Sequence, residues 1–198
     1  MMPAFLTPLL TSTAVVTLAE IGDKTMLLAI VLAARMRRPW AIVAGIFCAT
    51  LVNHLISAFI GSEVAGLLSA RWFQFAVAAG FIAMAGWTLV PDKLDDDEAE
   101  GAVHSHGGAF LTTLVSFFLV EIGDKTQIAT IALGARFHDV GAVAAGTTLG
   151  MMIADAPAVF LGDRLVRIVP LKLARAVAAA LFAGIGIWQL WGLLAGQA

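Results

Sequence analysis

Two six-residue strings carry the chemistry of this chain. Glu20-Ile21-Gly22-Asp23-Lys24-Thr25 returns without change as Glu121-Ile122-Gly123-Asp124-Lys125-Thr126, a shift of 121 − 20 = 101 residues. Each copy sets two carboxylates, an ammonium and a hydroxyl inside an apolar run. A charge in the middle of a bilayer costs at least ~2.5–3.5 kcal/mol, so such groups face the protein interior and mark ion or proton paths. On a continuous helix, residues three and four apart share a face, which groups Glu20 with Asp23 and Lys24, and Glu121 with Asp124 and Lys125. Gly22 and Gly123 remove bulk between the acids, permitting close helix approach or a local helix break. Thr25 and Thr126 add hydroxyl oxygens.

Together the copies offer four carboxylates and two hydroxyls, an oxygen-rich set suited to hard divalent cations such as Ca²⁺ or Mn²⁺. The only thiol is Cys48, inside an apolar run, which disfavours soft-metal transport and allows no intrachain disulfide. Four carboxylates and two lysines sum to −2, so one divalent cation neutralises the pair of motifs. Once the cation leaves, crowded like charges favour proton uptake, and protons can take its place. The expected mechanism is therefore cation/proton antiport, with Lys24 and Lys125 holding partner acids or acting as counter-cations on the return. The plainer alternative, that Glu20 and Lys24 only neutralise each other across one helical turn, leaves Asp23 and Asp124 unexplained. Secondary candidates are Asn53, His54, Gln127 and Asp155. His54 aligns with Asp155 on the 101-residue shift, and His54 could relay protons or ligate metal. Pro157 is expected to kink the helix beyond Asp155.

The elements that must position these residues are membrane spans. Of 198 residues 60% are hydrophobic and 13% charged, and the mean hydropathy is +0.92, far outside the range of soluble domains. Six segments, about 6–33, 40–62, 72–90, 109–134, 140–162 and 174–195, meet the requirement of roughly 20 mostly apolar residues. The amino terminus lacks a basic signal region, so the first span is expected to stay in the mature protein. The shift also matches Arg35 with Arg136, Gly45 with Gly146, Phe59 with Phe160, Gly61 with Gly162, Phe81 with Phe182 and Trp87 with Trp188. The chain thus divides into a first three-helix repeat (1–90), an acidic, His-containing linker (91–108) and a second three-helix repeat (109–198). An odd number of spans per repeat inverts the second copy, an arrangement typical of secondary transporters. The expected fold is an all-α integral membrane protein of six transmembrane helices in two inverted-topology repeats.

Basic residues cluster after spans one, three and five, among them Arg35, Arg37, Arg38, Lys93, Arg164 and Lys172, whereas the other face holds Arg71 and Arg136. The positive-inside rule puts both termini outside and the linker in the cytoplasm of a plasma (bacterial inner) membrane. Five tryptophans lie near span ends, as interfacial anchors do. The linker, with Asp95, Asp96, Asp97, Glu98, His104 and His106, reads as a solvated connection rather than a metal sensor.

The doubled EIGDKT string in a chain of two three-span groups resembles the E-x-G-D-[KR]-[ST] family of membrane cation transporters, the Gdt-type manganese and calcium/proton antiporters. The resemblance covers almost the whole chain, and both motifs are complete. It implies export of Mn²⁺ or Ca²⁺ from the cytoplasm in exchange for protons, with Glu20, Asp23, Glu121 and Asp124 as the binding residues and Lys24, Thr25, Lys125 and Thr126 in support. Manganese is the expected preference. The protein is then not an enzyme, holds no permanent cofactor, and has metal ions, protons and lipid as partners, without nucleic acid; a homo-oligomer is compatible with this. The alternatives are a small-solute exporter, whose acids bind a cationic amino acid, an intramembrane hydrolase using paired carboxylates, and a structural subunit whose Glu–Lys pairs only dock helices. No nucleophile or oxyanion motif supports the hydrolase.

Overall fold

A computed structural model describes residues 5–67, 71–90, 108–162, 164 and 170–195. Most of the acidic linker, with its two histidines, lies outside these residues. Eight helices appear among them: α1 (Leu6–Glu20), α2 (Lys24–Met36), α3 (Pro39–Leu67), α4 (Arg71–Thr88), α5 (Ala109–Glu121), α6 (Lys125–Phe137), α7 (Val140–Leu161) and α8 (Leu171–Leu194). There is no strand. Of these, α3, α7 and α8 are each long and apolar enough to cross a bilayer unaided.

The expected first and fourth spans are not continuous helices. Each stops at the motif glutamate and restarts at the motif lysine, with three non-helical residues between. The glycines decide where this happens. Gly22 has φ +84° and Gly123 φ +79°, a left-handed conformation that costs an L-residue roughly 1–2 kcal/mol. The reading that Glu20, Asp23 and Lys24 share one helix face is therefore corrected, as is its counterpart at Glu121: the ladder that would set that spacing ends at the glutamate. The break leaves helix-end carbonyls of α1 and α5 and helix-start N–H groups of α2 and α6 in mid-chain, where ions can use them. By contrast, α7 runs through Pro157 to Leu161.

The repeat recurs in backbone detail. Arg37 and His138, 101 residues apart, both have φ 53° and close α2 and α6 with bonds to Ala33 and Gly134 carbonyls. Each half packs mainly on the other: α1 lies on α7 and α5 on α3, while α4 pairs with α8. Phe81 and Phe182, equivalent in the repeat, stack on each other with ring centroids 6.4 Å apart. Close approach between halves relies on equivalent glycines. A Cβ on Gly45 would stand 2.8 Å from both the Phe110 carbonyl oxygen and Thr113 Cβ, and one on Gly146 would meet the Leu9 carbonyl and Ser12 Cβ. Gly45→Ala is therefore expected to destabilise the protein by about 1–3 kcal/mol through overpacking, whereas Gly80→Ala, which meets nothing within 4 Å, should be neutral or slightly stabilising. Thermal unfolding in detergent compares them, and equal midpoints would remove the case for close approach.

The interior holds charged groups beside its apolar core, and large apolar side chains lie on the outside. Among the fully or nearly buried residues are Glu20, Asp23, Asn53, His54, Glu121, Asp124, Lys125 and Asp155, while Trp40, Phe59, Leu119, Ile187 and Trp191 are exposed. Large apolar side chains on the exterior fit lipid as the solvent.

Candidate cation site

The two helix breaks meet in the interior and bring both halves into one cluster. Carboxylate oxygens of Glu20, Asp23 and Asp124 all lie within 4.8 Å of one another, and all three residues are buried. Each reaches the cluster for a local reason. Glu20 is the last residue of α1, and Asp23 and Asp124 are the N-cap residues of α2 and α6. Asp124 shows its capping role directly, its Oδ2 accepting the Thr126 N–H at 3.2 Å, and both acids sit at the positive end of a helix dipole.

The hydroxyls of Thr25 and Thr126 both donate to Glu20, one to each carboxylate oxygen. Thr126 belongs to the other half, so this glutamate is held by both motifs. Each carboxylate oxygen has about two lone pairs, so one remains on each for a cation. The lysines also reach across: Lys24 Nζ lies 3.8 Å from Asp124 Oδ1, and Lys125 Nζ 4.0 Å from Asp23 Oδ1. Lys125 additionally donates to the Val90 carbonyl at 3.2 Å. Local spacing suggested a Glu20–Lys24 pair; the helix break removes that geometry, and the ammonium groups answer the opposite motif instead.

Glu121 stands apart from this three-carboxylate group. Its Oε2 accepts Asn53 Nδ2 at 3.0 Å, and its Oε1 lies 2.9 Å from His54 Nε2. The imidazole contact is an ion pair when His54 is doubly protonated; its N–H is not aimed as a hydrogen bond. Asn53 also donates to the Phe118 carbonyl at 3.1 Å, anchoring α3 to α5. The two glutamates thus have different company: threonines for Glu20, Asn53 and His54 for Glu121. Asp155, the repeat equivalent of His54, is fully buried and neither oxygen has a hydrogen-bond partner among the described residues. Gln127 stays local, its Oε1 accepting the Gly123 N–H at 2.7 Å and bridging the second break.

Comparison with known proteins adds an independent line. The family model for the divalent cation/proton antiporter GDT1 matches twice, over residues 8–96 and 109–197. A protein of Vibrio cholerae named "Putative manganese exporter" is 48% identical over 168 residues, covering 84% of this chain and 82% of its own. A GDT1-like protein of Synechocystis is 29% identical over 199 residues, covering 91% and 95% of the two chains. The GDT1-like protein 3 of Arabidopsis thaliana is 27% identical over 210 residues, covering 93% of this chain and 71% of its own. No solved structure matches.

Proposed function

The chain belongs to the divalent cation/proton antiporter GDT1 family, and from that premise we propose that it exports Mn²⁺, and less readily Ca²⁺, from the cytoplasm in exchange for protons. The family is one of transporters rather than enzymes. The observation that carries the reading is the convergence of Glu20, Asp23 and Asp124, from two helix breaks in opposite halves, within 4.8 Å. Three buried carboxylates with lysines at their edge form a hard-oxygen cage of net negative charge. It suits a divalent cation when deprotonated and can stand empty when protons replace the metal. The name of the Vibrio cholerae relative favours manganese as the cargo. Glu121, held by Asn53 and His54, is the fourth carboxylate, joining the cargo in another stage of the cycle.

Six crossings in two inverted repeats account for the eight helices, α1–α2 and α5–α6 each forming one broken span. The contacts support this. Gly45 meets Phe110 and Thr113 near the starts of α3 and α5, and further along Asn53 meets Phe118 and Glu121, so α5 runs beside α3 in the same direction. Because α3 turns back from α2 after two residues, the second broken span runs opposite to the first. Broken helices at an inverted-repeat interface are the usual seat of a transport site. The protein is assigned to the plasma membrane with both termini outside, on the distribution of arginine and lysine.

In liposomes of purified protein, an imposed pH gradient should drive Mn²⁺ uphill, Ca²⁺ more slowly and lysine not at all. Mn²⁺ flux indifferent to the gradient would remove proton coupling, and lysine flux without metal flux would favour the small-solute exporter.

A further inference from the structure

Away from the cation path, a cavity of about 440 Å³ opens at the end of the bundle where α4 begins and α6 and α8 finish. Its polar wall is made by Gln74, Arg136, His138 and Gln189, and its apolar wall by Trp188 and Leu193. The volume falls within the roughly 300–1,000 Å³ typical of small-ligand sites.

Charge and hydrogen bonding specify what fits. The Arg136 guanidinium lies over the rings of Phe137 and Trp188, 5.6 and 5.5 Å from their centroids, and has no carboxylate partner among the described residues. Asp139, the nearest acid in sequence, accepts the Ala142 N–H at 3.0 Å instead, and Glu63, at the same end of the bundle, is exposed and does not line the cavity. A second guanidinium, that of Arg71, donates to the carbonyl of Leu193, a residue of the apolar wall. These cations call for an anionic oxygen group. Gln189 adds a different demand. Its Nε2 donates to the Gln74 carbonyl at 3.4 Å, while its Oε1 is buried without a donor. A simple anion cannot satisfy that acceptor. A ligand with an anionic oxygen and a hydrogen-bond donor a few bonds apart meets both demands once the Gln189 amide, held by that one long bond, turns its oxygen toward the cavity.

We propose that this cavity binds a phosphate ester bearing a nearby hydroxyl or ammonium donor, the chemistry shared by phosphatidylglycerol and phosphatidylethanolamine headgroups and by soluble glycerol phosphate. Its position favours a lipid source: helix ends lie at headgroup depth, and Trp188 and Trp191, 67% and 70% exposed, offer indoles where acyl chains meet headgroups. The site is particular to one half. In the other, the position of Gln189 is taken by Thr88, whose hydroxyl already donates to the Met84 carbonyl at 2.8 Å, so no buried acceptor waits there.

Native mass spectrometry of the full chain, delipidated and then offered phosphatidylcholine, phosphatidylethanolamine and phosphatidylglycerol in equal amounts, tests this. Phosphatidylcholine has the phosphate but no donor, so the wild type should retain the other two preferentially. Arg136→Gln should weaken their retention about tenfold, as loss of one charge-assisted contact implies, and Gln189→Leu should erase the preference over phosphatidylcholine. A parallel arm with glycerol phosphate alone identifies the source: Arg136-dependent binding there, without lipid retention, assigns the site to the soluble ester. Equal retention of all three lipids by the wild type, or retention unchanged in both variants, overturns the proposal. Thermal unfolding checks that the variants fold, and if Arg136→Gln does not, Gln189→Leu alone decides.

Discussion

Glu20→Gln is expected to weaken Mn²⁺ binding by at least about 100-fold, since loss of even an outer-shell partner costs about 10–100-fold, and to bring proton-driven flux to background. The reason lies in how this carboxylate is held. Thr25 and Thr126 each donate a hydroxyl to one of its oxygens, which leaves the remaining lone pairs for the cation. Glutamine has nearly the same shape, so the fold survives; but one oxygen becomes an NH₂ group, which offers donors to the cation and removes a full charge from a cage shared with Asp23 and Asp124. Asp124→Asn should behave similarly. Asparagine can still accept the Thr126 N–H that caps α6, so the charge is tested apart from the cap. Glu121→Gln should differ: Glu121 is held by Asn53 and His54, so initial Mn²⁺ affinity should largely persist while turnover falls. Calorimetry on detergent-solubilised protein and flux in liposomes separate these effects, and wild-type affinity in Glu20→Gln would refute the cage.

Much of this arrangement was legible in the chain. Identical charged strings 101 residues apart, with matching glycines and aromatics, point to two related halves, and the alignment of His54 with Asp155 is visible on the same shift. What could not be read was local. The glycine of the motif allowed either a close helix approach or a break, and only the left-handed backbone at Gly22 and Gly123 distinguishes them. Once the helix ends at Glu20, the rule that groups residues three and four apart no longer applies. The lysine pairing across the motifs is then a tertiary fact, since nothing near Lys24 in sequence names Asp124 as its neighbour. The difference between Glu20 and Glu121 was equally hidden, because identical strings predict identical surroundings. The partners come from α3, where Asn53 and His54 stand at positions that are Ala154 and Asp155 in α7.

That substitution of acid for imidazole leads to the second large expected effect. Asp155→Asn should stabilise the protein while abolishing proton-driven transport. Both Asp155 oxygens are buried without a hydrogen-bond partner among the described residues. Asparagine keeps a buried polar group and removes only the cost of placing an ionisable carboxyl where no partner meets it, a cost above the ~1–3 kcal/mol of a neutral group, so the melting point should rise by a few degrees, given about 2–4 °C per kcal/mol in a chain of this size. A group kept for packing would show the reverse, with loss of stability and a proportionate loss of flux. The expected loss of transport rests on the proposal that Asp155 takes up a proton or a departing cation during the cycle, a role that needs an acceptor left open. A destabilised Asp155→Asn, or one that transports Mn²⁺ as the wild type does under a pH gradient, would show that this carboxylate is structural.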